Sequence, residues 1–227
     1  MPDAWNPLRR SPMHARLREA GAVFETGSGW ARARHFGDPE AEFQAGSTSV
    51  VLSDLSGTGK WQARGRDLER DLEPGVSGKV PAPGRVAGTR TGCLCRMTPG
   101  EALFLYQDGP PEHRQVSGAD GDGCLHLLER TDGLALMALW GPESRRVLAK
   151  LTTLDLREEA RPHGTCAAAP MAGVRVLLIR WDRGGLPTYP ILVSAEYGAY
   201  LWDMVLEAGR EHGLRPCGLD GWKRLEE

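Results

Sequence analysis

Five groups of residues have types and spacing that could do chemistry. The first is Ser56-Gly57-Thr58-Gly59-Lys60-Trp61, a glycine-rich turn ending in Gly-Lys. A phosphate-gripping loop of this kind needs G-x-x-x-x-G-K-[ST] followed by a helix, because loop amides cradle the phosphate and the hydroxyl holds magnesium. Here Asp54 stands where the first glycine should be, Trp61 replaces the hydroxyl residue, and an alternating segment follows. The pattern predicts strand, turn, strand instead. The second group, Cys93-x-Cys95, places two thiols on one face of a strand; with Cys124, Cys166 and Cys217 standing apart, it lacks the four-ligand spacing of a zinc site. No cysteine is paired by spacing with a histidine as a nucleophile requires. The six histidines form neither H-x-H nor H-E-x-x-H, and no serine sits in G-x-S-x-G, so hydrolase chemistry is without its usual signature. The last group is a scatter of aromatics and acids, among them Trp30, Trp61, Asp54, Asp182, Tyr189 and Trp222, whose bland role is core packing.

The elements that must position these residues are short. With 29 glycines and 16 prolines, the chain is cut by turns throughout. Ser11 to Gly21 is expected as a short amphipathic helix, stopped by Gly21. Ala22–Phe24 and Phe43–Leu55 carry strand-like runs around a loop at Gly37-Asp38-Pro39, and Lys60–Arg64 alternates as a half-buried strand does. Arg66–Leu72 has room for one or two helical turns. Cys93–Met97 and Ala102–Tyr106 flank a turn and read as a hairpin. The segment from Asp108 to Gly123 is polar and turn-rich, and marks the expected boundary between lobes spanning roughly 1–108 and 124–227.

The second half begins again with strands at Cys124–Leu128 and Leu134–Leu139. A helix opens at Gly141-Pro142-Glu143 and runs to about Leu151. Strands follow at Val174–Ile179 and Tyr189–Val193. A last helix over Tyr197–Gly209 carries Leu201, Met204, Val205 and Ala208 as its apolar stripe, with Ser194 as the expected cap. Short mixed strands followed by helices argue for α+β: two interlocked lobes of mixed or antiparallel sheet with packed helices.

Composition excludes several classes. The formal net charge of −2, with no basic block, gives no electrostatic footprint for nucleic acid or an anionic membrane. The start of the chain has no apolar core of signal-peptide length, the apolar runs are too short to span a bilayer, and an odd number of cysteines suits a reducing compartment. The expectation is a cytoplasmic protein without a metal.

One resemblance runs along nearly the whole chain in order. Ser11-Pro12-Met13-His14, Gly29-Trp30, Phe36-Gly37-Asp38 and Leu52-Ser53-Asp54-Leu55-Ser56 through Gly65-Arg66-Asp67 resemble the opening of the folate-binding aminomethyltransferase family, which includes the T-protein of glycine cleavage. Trp140-Gly141-Pro142-Glu143, Gly164-Thr165-Cys166-Ala167, Met171-Ala172-Gly173-Val174 and Ser194…Tyr197-Gly198…Leu201-Trp202 are more similar to the gamma subunit of heterotetrameric sarcosine oxidase. The resemblance covers the folate-binding region without the T-protein's C-terminal barrel, and treats residues 1–227 as one domain. It implies tetrahydrofolate in a cleft between the lobes, a carboxylate beside the reacting amine, a Glu on the pterin and an Arg near the end of the region.

The sequence departs at all three positions. The carboxylate position falls on Thr91-Gly92, with no acid from Pro74 to Gly100. The pterin Glu falls on Leu186, and the Arg on Trp222, with Lys223 or Arg224 as neighbours. An unpaired pterin amine costs about 1–3 kcal/mol, and a lost acid–base group roughly 10²–10⁴ in rate. The resemblance therefore implies an accessory or degenerate member supporting larger sarcosine-oxidase-like subunits. The alternatives are a free-standing folate-dependent transferase or demethylase with a rebuilt pocket, or a cleft for a small molecule unrelated to folate. In a rebuilt pocket Trp30, Trp61, Tyr189 and Trp222 offer stacking surface, Asp54 or Asp182 the replacement acid, and Lys223 or Arg224 the cation.

Overall fold

The computed structural model describes residues 8–72, 79–106 and 125–225. The expected lobe boundary at 108–123, Cys124 and His113 lie outside them. The elements of the first half are β1 (Arg9–Arg10), α1 (His14–Glu19), β2 (Val23–Gly27), β3 (Trp30–His35), α2 (Pro39–Thr48), β4 (Val51–Asp54), β5 (Gly59–Arg64), α3 (Leu68–Leu72), β6 (Val86–Thr89), β7 (Gly92–Thr98) and β8 (Glu101–Tyr106). The second half supplies β9 (His126–Glu129), β10 (Leu134–Trp140), α4 (Ser144–Ala149), β11 (Thr165–Met171), β12 (Val174–Arg180), β13 (Thr188–Ser194), α5 (Gly198–Ala208), β14 (Arg215–Pro216) and α6 (Leu219–Lys223).

These strands form three sheets, ordered β11-β12-β13-β10-β4-β14, β6-β7-β8-β5-β9 and β1-β3-β2. The halves exchange strands. β4 pairs antiparallel with β10, Asp54 opposite Met137, while β9 pairs antiparallel with β5, Leu128 opposite Gln62. Parallel pairs β1–β3 and β4–β14 make the architecture mixed. The expected α+β fold of interlocked lobes is what the chain adopts.

Strand alternation builds the layers. On one face of the six-stranded sheet, Leu52, Met137, Leu139, Ile191 and Val193 pack under α1, α4 and α5 through Leu17, Val147, Leu201, Trp202 and Val205. On the other face, Val51, Leu136, Ala138, Leu177 and Leu192 meet Cys93, Cys95, Leu103 and Leu105 of the five-stranded sheet, closed at one end by Leu219, Trp222 and Leu225. The outer face of the five-stranded sheet packs Ala63, Leu94 and Phe104 on Leu68 and Leu72 of α3.

Three local expectations are corrected. The strand-like reading over Phe43–Leu55 holds only from Val51; residues 39–48 are helix α2. Asp38 caps that helix, accepting from the amides of Glu40 (2.9 Å) and Ala41 (3.2 Å), with Pro39 at its first position. The buried face of α2 is carried by Glu42 and Gly46 rather than by large apolar residues, so periodicity hides it. Ser194 makes no side-chain cap bond; a single 3₁₀ turn, Ala195–Tyr197, leads into α5 instead. The third is β11, absent from the sequence-based elements because Ala167–Pro170 shows no strand alternation; it is defined by seven residue pairs with β12.

Candidate functional site

The site is built where β3, the end of β4, the turn after it and α6 converge. A pocket of about 110 Å³ is lined by Ser11, Trp30, Arg32, Asp54, Leu55, Gly57, Thr58, Leu219, Trp222 and Lys223, among others. Two tethers bring positions 30–42 against positions 218–222. Glu42, 5% exposed, accepts from the Phe36 amide (2.6 Å) and the Gly218 amide (2.8 Å), and Arg34 pairs with Asp220 at 2.8 Å. A second recess of about 50 Å³ adjoins the first, sharing Leu55, Thr58 and Trp222 with it. Its further walls include Gly92, Cys93, Tyr106, Trp181 and Arg183.

Lys60 does none of what its Gly-Lys motif suggests. Its side chain is fully buried, and Nζ donates to the carbonyl oxygens of Ser56 (2.8 Å), Thr58 (2.9 Å) and Thr131 (3.3 Å). The ammonium holds the β4–β5 turn shut from inside. Burial pushes it down to about 8 from 10.5, against the pull of Asp54 and Asp132. Gly59 is needed beside it, since a Cβ there would lie 2.2 Å from the Tyr106 ring.

Asp54 is the carboxylate that lines the pocket. Its Oδ1 accepts from the Ser56 amide at 3.0 Å. Desolvation raises it above the ordinary carboxylate range, and its contacts with Ser11 and Ser56 and the charge of Lys60 only partly offset this. Its carboxyl can thus hold a proton at higher pH than an exposed Asp. Trp222 is covered on one side by the Arg183 guanidinium, 5.4 Å from the ring centroid, and Trp30 by Arg9 at 5.9 Å.

Of the residues singled out from the sequence, Trp30, Asp54, Trp222 and Lys223 come together in this one pocket, while Trp61 lines neither recess and donates its indole N–H to the Tyr106 hydroxyl. The other three stand elsewhere. Asp182 is clamped by Arg180, with Nε–Oδ1 at 2.6 Å and NH2–Oδ2 at 3.0 Å, and it accepts from the Thr188 amide at 3.2 Å. Tyr189 is buried on the helix-covered face, its hydroxyl accepting from Arg180 at 3.0 Å. Arg224 is on the outside, paired with Glu40 and 5.9 Å from the Phe43 ring. None of these three lines either recess.

The residues that sequence reasoning missed are Trp181, Arg183, Tyr106 and Arg32. The signal for the first two was strand parity: Arg180 and Asp182 share one side, so Trp181 and Arg183 share the other, and that side faces the recess. The position matching the family carboxylate is a tight close approach. A Cβ on Gly92 would meet the Leu105 carbonyl oxygen at 1.9 Å, so no side chain is accommodated there without backbone movement. Leu186, at the pterin-Glu position, closes a turn through reciprocal backbone bonds with Arg183 and packs on the inter-sheet core.

Comparison with known proteins bears on the fold and the family. The GCVT N-terminal domain model matches residues 112–227. An aminomethyltransferase of Geobacillus thermodenitrificans is 30% identical over 228 residues, covering 93% of this chain and 61% of the relative; the chain thus spans about three-fifths of the curated relatives it matches. The fold is shared with glycine cleavage system aminomethyltransferase T from Bartonella henselae (TM-score 0.79, 17% identity, 96% of this chain and 62% of that one). It is shared too with a chain of the heterotetrameric sarcosine oxidase from Corynebacterium sp. U-96 (TM-score 0.68, 22% identity, 90% of this chain and 96% of that one). With a domain model matching half its length and the expected fold in place, this chain belongs to the aminomethyltransferase family, in its GCVT N-terminal domain.

Proposed function

We propose that this protein is an accessory, sarcosine-oxidase-gamma-like member of the family in one-carbon metabolism. Its cleft receives a flat, nitrogen-rich heterocycle of the tetrahydrofolate class, and the chain does not carry out aminomethyl transfer by itself. One observation carries the reading: among the residues lining the two adjoining recesses, Asp54 is the single carboxylate. Trp30, Trp222, Trp181 and Tyr106 offer apolar wall for a ring system, and Asp54 offers one acceptor for ring N–H groups. A transfer site needs a second carboxylate at the reacting amine, and Gly92 and Leu186 supply none. Similarity to a chain of a heterotetrameric oxidase along 96% of that chain supports association with larger subunits.

Two measurements test the two halves of this proposal. Calorimetric titration of the purified chain with tetrahydrofolate should give heat, and Asp54→Asn should weaken binding about tenfold, or ~1.4 kcal/mol. No heat at high tetrahydrofolate concentration would remove the folate class. Affinity purification from the native host should retrieve larger flavoprotein subunits in stoichiometric amount; recovery of the chain alone would remove the accessory role.

A second reading, a free-standing demethylase or transferase with a rebuilt pocket, is favoured by the raised Asp54 carboxyl, since a group that titrates nearer neutrality suits proton transfer. Formation of a methyl-folate and the demethylated amine from a methylamine donor, or of a methylene-folate and ammonia from an aminomethyl donor, by the chain alone and lost in Asp54→Asn, would establish it over the accessory role.

A further inference from the structure

Three thiols meet in the inter-sheet core: Cys93 and Cys95 from one face of β7, and Cys166 from β11 of the opposing sheet. Cys95 is fully buried within this cluster. Cys166 is held against the residue after Cys95, with its amide on the Gly84 carbonyl (2.9 Å) and its thiol on the Arg96 carbonyl (3.6 Å). The trio also lies between two openings. Cys93 lines the second recess of the cleft, and Cys166 forms part of the floor of a separate groove of about 430 Å³. That groove runs between the sheets on an apolar bed of Leu103, Leu134, Leu177 and Leu192, rimmed by Arg64, Glu101, Arg130 and Arg175.

We propose that Cys95 and Cys166 are an oxidisable dithiol, converted by a small hydroperoxide entering from this groove into a disulfide that joins β7 to β11. The two thiols are electrostatically unequal. The hydrogen bond from Cys95 and the charge of Arg161 hold Cys166 below the usual thiol range despite its burial. Interactions with Cys166 and Cys93, together with burial, hold Cys95 above it. Cys166 also lines the groove and is the sulfur an entering peroxide meets, whereas Cys95, fully buried and lining neither opening, is the resolving one.

The chemistry balances with the peroxide as sole oxidant. The Cys166 sulfur attacks one peroxide oxygen and the O–O bond breaks. Sulfenic acid forms on Cys166, and the departing hydroxide takes the Cys166 proton as water. The Cys95 sulfur then attacks the sulfenic sulfur, the S–O bond breaks, and the second hydroxide leaves with the Cys95 proton as water. Two thiols lose two electrons, and with hydrogen peroxide as the hydroperoxide the products are two waters. The bond would fix the five-stranded sheet to the edge of the six-stranded one beside Cys93, at the wall of the cleft. This inference stands on the thiol cluster and does not depend on what the cleft binds.

The test is peroxide treatment of the native full-length chain, followed by alkylation and peptide mass mapping. The expected result is loss of two hydrogens, a cross-linked peptide pair containing Cys95 and Cys166, reversal by dithiothreitol, and full retention of the effect in Cys217→Ala. Cys166→Ala should abolish it. Should that variant not fold, the wild-type map alone decides. A Cys93–Cys95 link, a Cys166 that ends as sulfinic acid, or thiols that all remain alkylatable would each overturn the assignment.

Discussion

Asp54 and Asp182 occupy comparable places in one sheet, the first at the end of β4 and the second just past the end of β12, yet their surroundings are opposite. Asp182 has its oxygens consumed by the Arg180 guanidinium and the Thr188 amide. Asp54 accepts from the Ser56 amide, lies by a buried ammonium that is already committed to three carbonyls, and keeps a face on the pocket. A carboxylate is available to a ligand only when its own neighbours leave lone pairs unused. Asp182 is a structural staple, and Asp54 is the candidate for recognition.

The comparison is tested most severely at Arg180. Its guanidinium is 6% exposed, bonds Asp182 and Tyr189, and reaches Glu158 at 3.0 Å. Asp182 is 25% exposed, so the charge left behind is partly solvated, and the loss is that of charge-assisted hydrogen bonds: Arg180→Ala should lose about 1.5–3 kcal/mol in denaturant unfolding. If Asp182 is only a staple, a variant that retains the fold should also retain ligand affinity. A loss below 1 kcal/mol would show that the clamp does not organise this end of the sheet.

A smaller effect belongs to Lys60, which separates a motif's appearance from its role. Its folded value of about 8 lies below the ordinary 10.5. Between about pH 8 and pH 10.5 the unfolded chain therefore binds more protons, and stability rises with pH through that window. Below pH 8 the full penalty of burying the charge is present, about 3 kcal/mol at ~1.4 per unit. Lys60→Met removes that penalty but leaves three buried carbonyls without a donor, for a net loss of about 1–3 kcal/mol at pH 7. The measurement is unfolding free energy from pH 7 to 10: the wild-type rise should flatten in Lys60→Met. Equal slopes would place the titration elsewhere.

These contrasts also mark what the sequence made legible. β4, the β7–β8 hairpin, β12 and β13 announced themselves because their apolar residues alternate or run continuously. Helix α2 did not, since its buried face is a carboxylate and a glycine, whose meaning depends on Gly218 and Trp140 far along the chain. The Asp38-Pro39 start signal is present, but in Gly37-Asp38-Pro39 the same residues carry turn chemistry. At the site, Trp30, Asp54 and Trp222 are far apart in sequence, and only the tethers from Glu42 and Arg34 put them in one pocket. Asp182 and Tyr189 were chosen by residue type, whereas parity along positions 180–183 decides which side chains face the cleft.

The smallest effect is expected at Arg224, and it sharpens the comparison most cleanly. By position it was the substitute cation for the ligand; in the fold it extends over the outside of α2, against Phe43 and Glu40. Both partners of that pair are substantially exposed, 40% and 55%. Such pairs contribute roughly 0.2–1 kcal/mol because water screens the charges and ordering two long side chains costs entropy. Arg224→Ala should therefore change unfolding free energy by less than about 1 kcal/mol, a difference that shrinks at high salt. Its tetrahydrofolate affinity should match wild type within a factor of about two, while Asp54→Asn loses about tenfold. A tenfold loss in Arg224→Ala would mean that the ligand reaches beyond Trp222 to the outer face of α6. The pocket would then extend past the residues that line it here, and Asp54 would no longer be the centre of recognition.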